Sequence, residues 1–121
     1  MSAEPLLSAF QRARLEANGR AQAAVKGTAH EIDFEPVVRL CDQEEGRTWL
    51  LCEIDPAEPH KAWGLCLCDP DSPEPYMGTV DLNELAAVKS AGFLTIDASF
   101  TPAGPVSDYL FRARAFDVLE L

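Results

Sequence analysis

The 121-residue sequence has no apolar run near the roughly 18 to 20 residues that cross a bilayer, so it offers no candidate for a membrane-spanning helix. Its first residues, Met1 to Pro5, lack the basic start and apolar stretch of a secretory signal, and the cytosol is the expected compartment. Histidine is scarce: His30 and His60 stand at ligand spacing neither from each other nor from a cysteine. No Gly-x-Ser-x-Gly elbow, glycine-rich phosphate loop or basic-aromatic surface occurs. Paired Cys-x2-Cys zinc knuckles are also missing, since Cys66 and Cys68 flank a single residue. The loop Asp69 to Pro75 has acidic spacing but not the sixth-position glycine or distal glutamate of a calcium loop. No catalytic residue, metal or cofactor is therefore expected.

Positive charge is the other shortage. Twenty acids face ten bases, for a net charge of −10. Residues 31 to 84 hold fourteen acids against Arg39, Arg47 and Lys61, a net of −11, whereas residues 1 to 30 sum to +2. Such a field repels phosphates, which argues against nucleic acid or an anionic membrane as a direct partner and favours a basic protein. Acidity of this kind also serves plain solubility.

Apolar residues at 47% and charged residues at 25% give an ordinary globular mixture, enough for one modest core. The whole of 1–121 is expected to form a single domain. A helix over 1–19 is expected from Ser2 as cap, Pro5 in the first turn, an apolar stripe of Leu6, Phe10, Ala13 and Ala17, and a stop at Asn18-Gly19. The small residues of 20–34 predict a flexible connector. Three strands follow, Pro36 to Asp42, Thr48 to Asp55 and Lys61 to Asp69, joined by short turns that imply an antiparallel meander. Strands two and three are apolar on both faces, so both need covering. A fourth strand, Tyr76 to Val80, leads into a helix opened by Asp81 and Glu84 and closed by Gly92. Alternation then predicts a half-exposed edge strand over Phe93 to Thr101. Ser107 is the expected cap of a last helix packed by Tyr109, Ala113 and Phe116. Cys41, Cys52, Cys66 and Cys68 all fall within these strands and read as buried free thiols. The fold class is α+β, with a mostly antiparallel sheet of about five strands.

Six pieces in order carry a resemblance: Asn18 to Ala21, Pro36 to Leu40, Thr48 to Leu51, Glu53 to Pro56, Ala62 to Cys66 and Gly78 to Leu85. Together they resemble a family of small uncharacterised bacterial proteins, a domain of unknown function, encoded on plasmids, integrative elements and phages. The chain departs from that pattern in its proline-rich loop and in Cys41, Cys52 and Cys68. The resemblance implies a mobile-element setting and supplies no catalytic residues.

The acidic block offers the candidate partner-binding residues: Glu31, Asp33 and Glu35, which alternate, and Asp42, Glu44 and Glu45, at one hairpin. Carboxylates so spaced could imitate a phosphate track and occupy a basic groove. The expected function is a non-enzymatic accessory protein that binds a protein partner, an inhibitor of a nucleic-acid-binding host protein being one form. An oligomerising accessory subunit anchored by Trp49 or Trp63 is an alternative, and an enzyme without a recognisable motif is a further one. Glu53 and Asp55, two apart on one strand, are the pair such an enzyme could use, although they also suit the solvated side of a half-buried strand.

Overall fold

The fold is seen in a computed structural model that describes residues 6–115. In order the elements are α1 (Ala9–Ala23), β1 (Val38–Asp42), β2 (Thr48–Ile54), β3 (Lys61–Leu67), β4 (Tyr76–Asp81), α2 (Leu82–Ser90), β5 (Leu94–Ile96) and α3 (Val106–Ala115). The strands form one sheet in the order β4-β3-β2-β1-β5, and every neighbouring pair is antiparallel. Short turns join β1 to β4 as a meander, and α2 then carries the chain to the opposite edge. The expected α+β architecture is the one observed.

Period-two alternation sends apolar side chains to both faces of the central strands. Trp49, Leu51, Ala62 and Cys66 join Leu15 of α1 with Leu82 and Leu85 of α2 in one core. Leu50, Cys52, Leu65 and Leu67 meet Val106, Tyr109 and Ala113 of α3 in the other. The sheet is thus sandwiched between helices, and each fully buried leucine contributes roughly 1.5–3 kcal/mol. Among the described residues, no helix is long and apolar enough to cross a membrane.

Several boundaries differ from the expectation. Helix α1 is capped by Ser8, whose hydroxyl and backbone form a reciprocal capping box with Gln11; the expected cap Ser2 and first-turn Pro5 lie outside the described residues. The helix does not stop at Asn18-Gly19 but runs on to Ala23. Its buried face is Leu15, Asn18 and Gly19, while Phe10 of the expected stripe is 77% exposed. Leu15 enters the first core, whereas Asn18 and Gly19 meet strand backbone, which selects a polar and a small residue there. A Cβ on Gly19 would lie 1.7 Å from the Ile54 carbonyl oxygen, so only glycine permits this approach.

Strand β3 ends at Leu67, and Cys68 is exposed in the left-handed region at φ 60° rather than packed inside. Cys41 is half-buried, and Cys52 and Cys66 are buried. The last strand is shorter than its alternation suggested. Only Leu94–Ile96 pair, against Asp42, Cys41 and Leu40, and then the Asp97 carboxylate accepts from the Ser99 N–H and hydroxyl (both 3.0 Å) and turns the chain. Phe100 leaves the strand and packs against Tyr109 in the second core.

Helix α3 is not capped by Ser107, which lies within its first turn. Pro105 before the helix has no side-chain acceptor, and the connector supplies the groups instead. The Phe34 carbonyl accepts from the Val106 N–H (2.7 Å), and the Asp33 carboxylate accepts from the Ser107 N–H (3.2 Å) and hydroxyl. Phe116, expected to help pack this helix, lies outside the described residues. The connector is further tied by a two-way bond in which the Gln22 amide donates to Ile32 O (2.8 Å) and accepts from Ile32 N–H (2.9 Å).

Candidate functional site

Strand β2 contains one residue too many for its neighbour. Leu51 pairs with Gly64 and Glu53 with Trp63, so Cys52 is a bulge. The Cys52 carbonyl accepts instead from the Asn18 side-chain amide of α1 (2.9 Å), a buried bond that ties helix to strand. The extra residue also reverses the alternation. Glu53 falls on the same face as Cys52, beside α3, and Ile54 returns to the first core.

Opposite Glu53 stands Trp63. It is 39% exposed, in contrast to Trp49 at 5%. Two clefts of about 330 and 300 Å³ meet at Gln22, Glu53 and Trp63. The first extends past Lys26, Asp55, Glu58 and Lys61, and the second past Glu31, Asp33 and Met77. An aromatic face ringed by carboxylates is suited to a cation.

The charges around this point are interdependent. Burial pushes the Glu53 carboxyl above the ordinary range, against a hydrogen bond from the Gln22 amide (3.3 Å) and the nearby Lys26 ammonium; Asp55 and Glu31 raise it further. The Lys26 ammonium lies 6.0 Å from the Trp63 ring centroid. In the turn that follows Lys26, the Gly27 N–H donates to the Glu31 carboxylate. Lys61 is engaged with Glu58 at 2.9 Å, and the Asp55 carboxylate accepts from the Ala57 N–H (2.8 Å). Beneath the site, burial pushes the Cys52 thiol up to about 12, so it stays protonated and is no nucleophile near neutral pH. Among the described residues, no three His, Cys, Asp or Glu side chains form a group able to hold a metal ion.

Residues 6–119 match the family described as a protein of unknown function (DUF2958). The chain belongs to the DUF2958 family. No curated protein and no solved structure is matched by it. In this DUF2958 chain the six acids singled out from sequence do not form one group. Glu31 and Asp33 line the second cleft, and Glu35 lines a neighbouring groove with Phe10 and Ile32. Asp42, Glu44 and Glu45 sit at the far end of β2, a strand of seven residues and thus roughly 20 Å away.

Asp42 does not present itself to a partner. It is 3% exposed, and its carboxylate accepts from the N–H groups of Glu44 (2.9 Å) and Glu45 (3.3 Å) and from Arg47 (2.9 Å). Burial pushes its carboxyl up, but the Arg47 guanidinium and the two amides outweigh this and hold it below the usual carboxylate range. It organises the hairpin. Glu44 and Glu45 are exposed. Sequence reasoning weighed Glu53 and Trp63 separately and missed Gln22 and Lys26, because the bulge that brings these residues together has no local signature.

Proposed function

We propose that this DUF2958 domain is a non-enzymatic accessory protein of a mobile genetic element, acting in the cytoplasm by binding a protein partner with a basic surface. One observation carries the reading: a large aromatic side chain, Trp63, stands exposed in a cleft edged by Glu53, Asp55 and Glu58. Exposed tryptophans flanked by charge are frequent anchors of protein interfaces. The −11 charge of residues 31 to 84 extends the attraction beyond the cleft and speeds encounter with a cationic surface. A nucleic-acid-binding host protein, whose phosphate-binding groove would be blocked, is the partner class that fits this field.

The test is capture of partners on the tagged chain at low and high salt, alongside a Glu44→Lys/Glu45→Lys variant that leaves the structural Asp42 in place. A stoichiometric basic protein, released by salt and weakened by the reversal, is expected. Binding indifferent to both salt and reversal would overturn the electrostatic reading. A self-associating accessory subunit is the second reading, favoured by the outer edge of the six-residue β4, which pairs with no strand among the described residues. Sedimentation as a monomer at high concentration would remove it.

A further inference from the structure

We infer that the cleft at Trp63 receives one lysine or arginine side chain of the partner, and that Lys26 is the chain's own occupant of that position, displaced on binding. This rests on the binding-module reading above and specifies what the module recognises. The first argument is shape and chemistry. The ring of Trp63 forms part of a cleft of about 330 Å³, far larger than a water site, and its neighbours Glu53 and Asp55 are acceptors. A flat aromatic face beside carboxylates selects a cationic side chain over a neutral or anionic one.

The second argument is that a cation already lies on that ring. Lys26 reaches it from the turn after α1, with its ammonium 6.0 Å from the centroid, at the outer limit of a cation–π contact. The residue itself is exposed, and the next residue is Gly27 in the left-handed region at φ 83°. The contact is loose enough for a better-seated cation to replace it.

The third argument is charge balance. Among the described residues, the first cleft is lined by three carboxylates, Glu53, Asp55 and Glu58, against two ammonium groups, Lys61, which is paired with Glu58, and Lys26, which acts on Glu53. The cleft therefore has a carboxylate surplus that its own two lysines do not neutralise. A guanidinium or ammonium brought by a partner supplies what is missing, while Lys26 swings to solvent.

The test uses acetylated hexa-arginine, with hexa-glutamate as control, titrated into the full chain at low salt. Indole N–H resonances read which tryptophan responds, and calorimetry gives the Kd. Hexa-arginine is expected to shift the Trp63 resonance and leave the buried Trp49 unmoved. Lys26→Ala is expected to tighten binding about threefold, since the internal competitor is gone. Trp63→Ala is expected to weaken it about tenfold, with Trp63→Phe retaining part of the affinity if the alanine variant folds poorly. Lys89→Ala removes the same charge from the last turn of α2, and Lys26→Ala must tighten binding more than this control does, since net charge alone acts equally in both. Unchanged or weaker binding by Lys26→Ala overturns the inference. If hexa-arginine binds with an affinity set by Glu44 and Glu45 and indifferent to Trp63, the inference fails while the binding-module reading stands. If no arginine peptide binds and no basic protein is captured, both fail.

Discussion

Gly19 occupies the interior of a helix, where glycine costs about 1 kcal/mol relative to alanine. The Ile54 carbonyl makes that cost worthwhile, because any side chain there would collide with backbone that cannot swing away. Gly19→Ala should therefore destabilise the fold by about 3 kcal/mol despite its better helix propensity, as read by urea denaturation. A neutral result would mean that α1 lifts off β2 at little cost. Glu53 works in the opposite sense. Its folded-state carboxyl titrates above the unfolded one because of burial, so its contribution is full below the ordinary glutamate value and is lost as pH rises through the folded value. Glu53→Gln, which stays uncharged, should raise the melting temperature near pH 7 and lose that advantage below about pH 4. A gain that persisted at low pH would place its cause in packing rather than in charge.

The helices and the meander could be read from turn chemistry and apolar periodicity, and their order was legible throughout. Ends were less so, because they are decided by distant groups. Helix α1 continues past Asn18-Gly19 since Asn18 has the Cys52 carbonyl to bind and Gly19 has a strand to approach. Helix α3 starts after Pro105 since Asp33, 74 positions before Ser107, supplies the missing acceptor. Asp33→Ala should cost about 1 kcal/mol, and hydrogen exchange should localise the loss to the first turn of α3 and the connector. Protection lost uniformly over the sheet would show instead that this cap holds up the whole domain. The candidate cleft was hidden for the same reason. Its members come from α1, the turn after it, β2 and β3; Glu31, Asp33, Glu53, Asp55 and Trp63 are each legible as candidates, but nothing local in the sequence joins them to Gln22 and Lys26.

Taken whole, the molecule is an acidic body whose exposed carboxylates are dispersed, among other places over the hairpin at one end of β2, the clefts at the other, and the groove beside Phe10. With a net charge of −10, self-repulsion opposes compaction. Raising ionic strength from about 0.01 to 0.15 M shortens the screening length from roughly 30 to 8 Å, and the melting temperature should rise with it. The same change should weaken capture of a basic partner, so stability and binding are expected to respond to salt in opposite directions. A melting temperature that fell would show that attractive pairs such as Arg47–Asp42 dominate over the net repulsion. Charge totals were legible from composition, whereas the split of the acids between the two ends of β2 required the fold.

A strand has parity, like a two-colour chain, and the bulge at Cys52 is the point where the colours slip. Everything after it in β2 answers to the opposite rule from everything before it. Relatives of this chain that gain or lose one residue between Leu51 and Ile54 would therefore exchange the roles of Glu53 and Ile54, turning a carboxylate into the core and an isoleucine to the cleft. In this chain a one-residue insertion or deletion here should therefore disturb the fold more than a substitution, and a two-residue change should be the better tolerated of the two length changes.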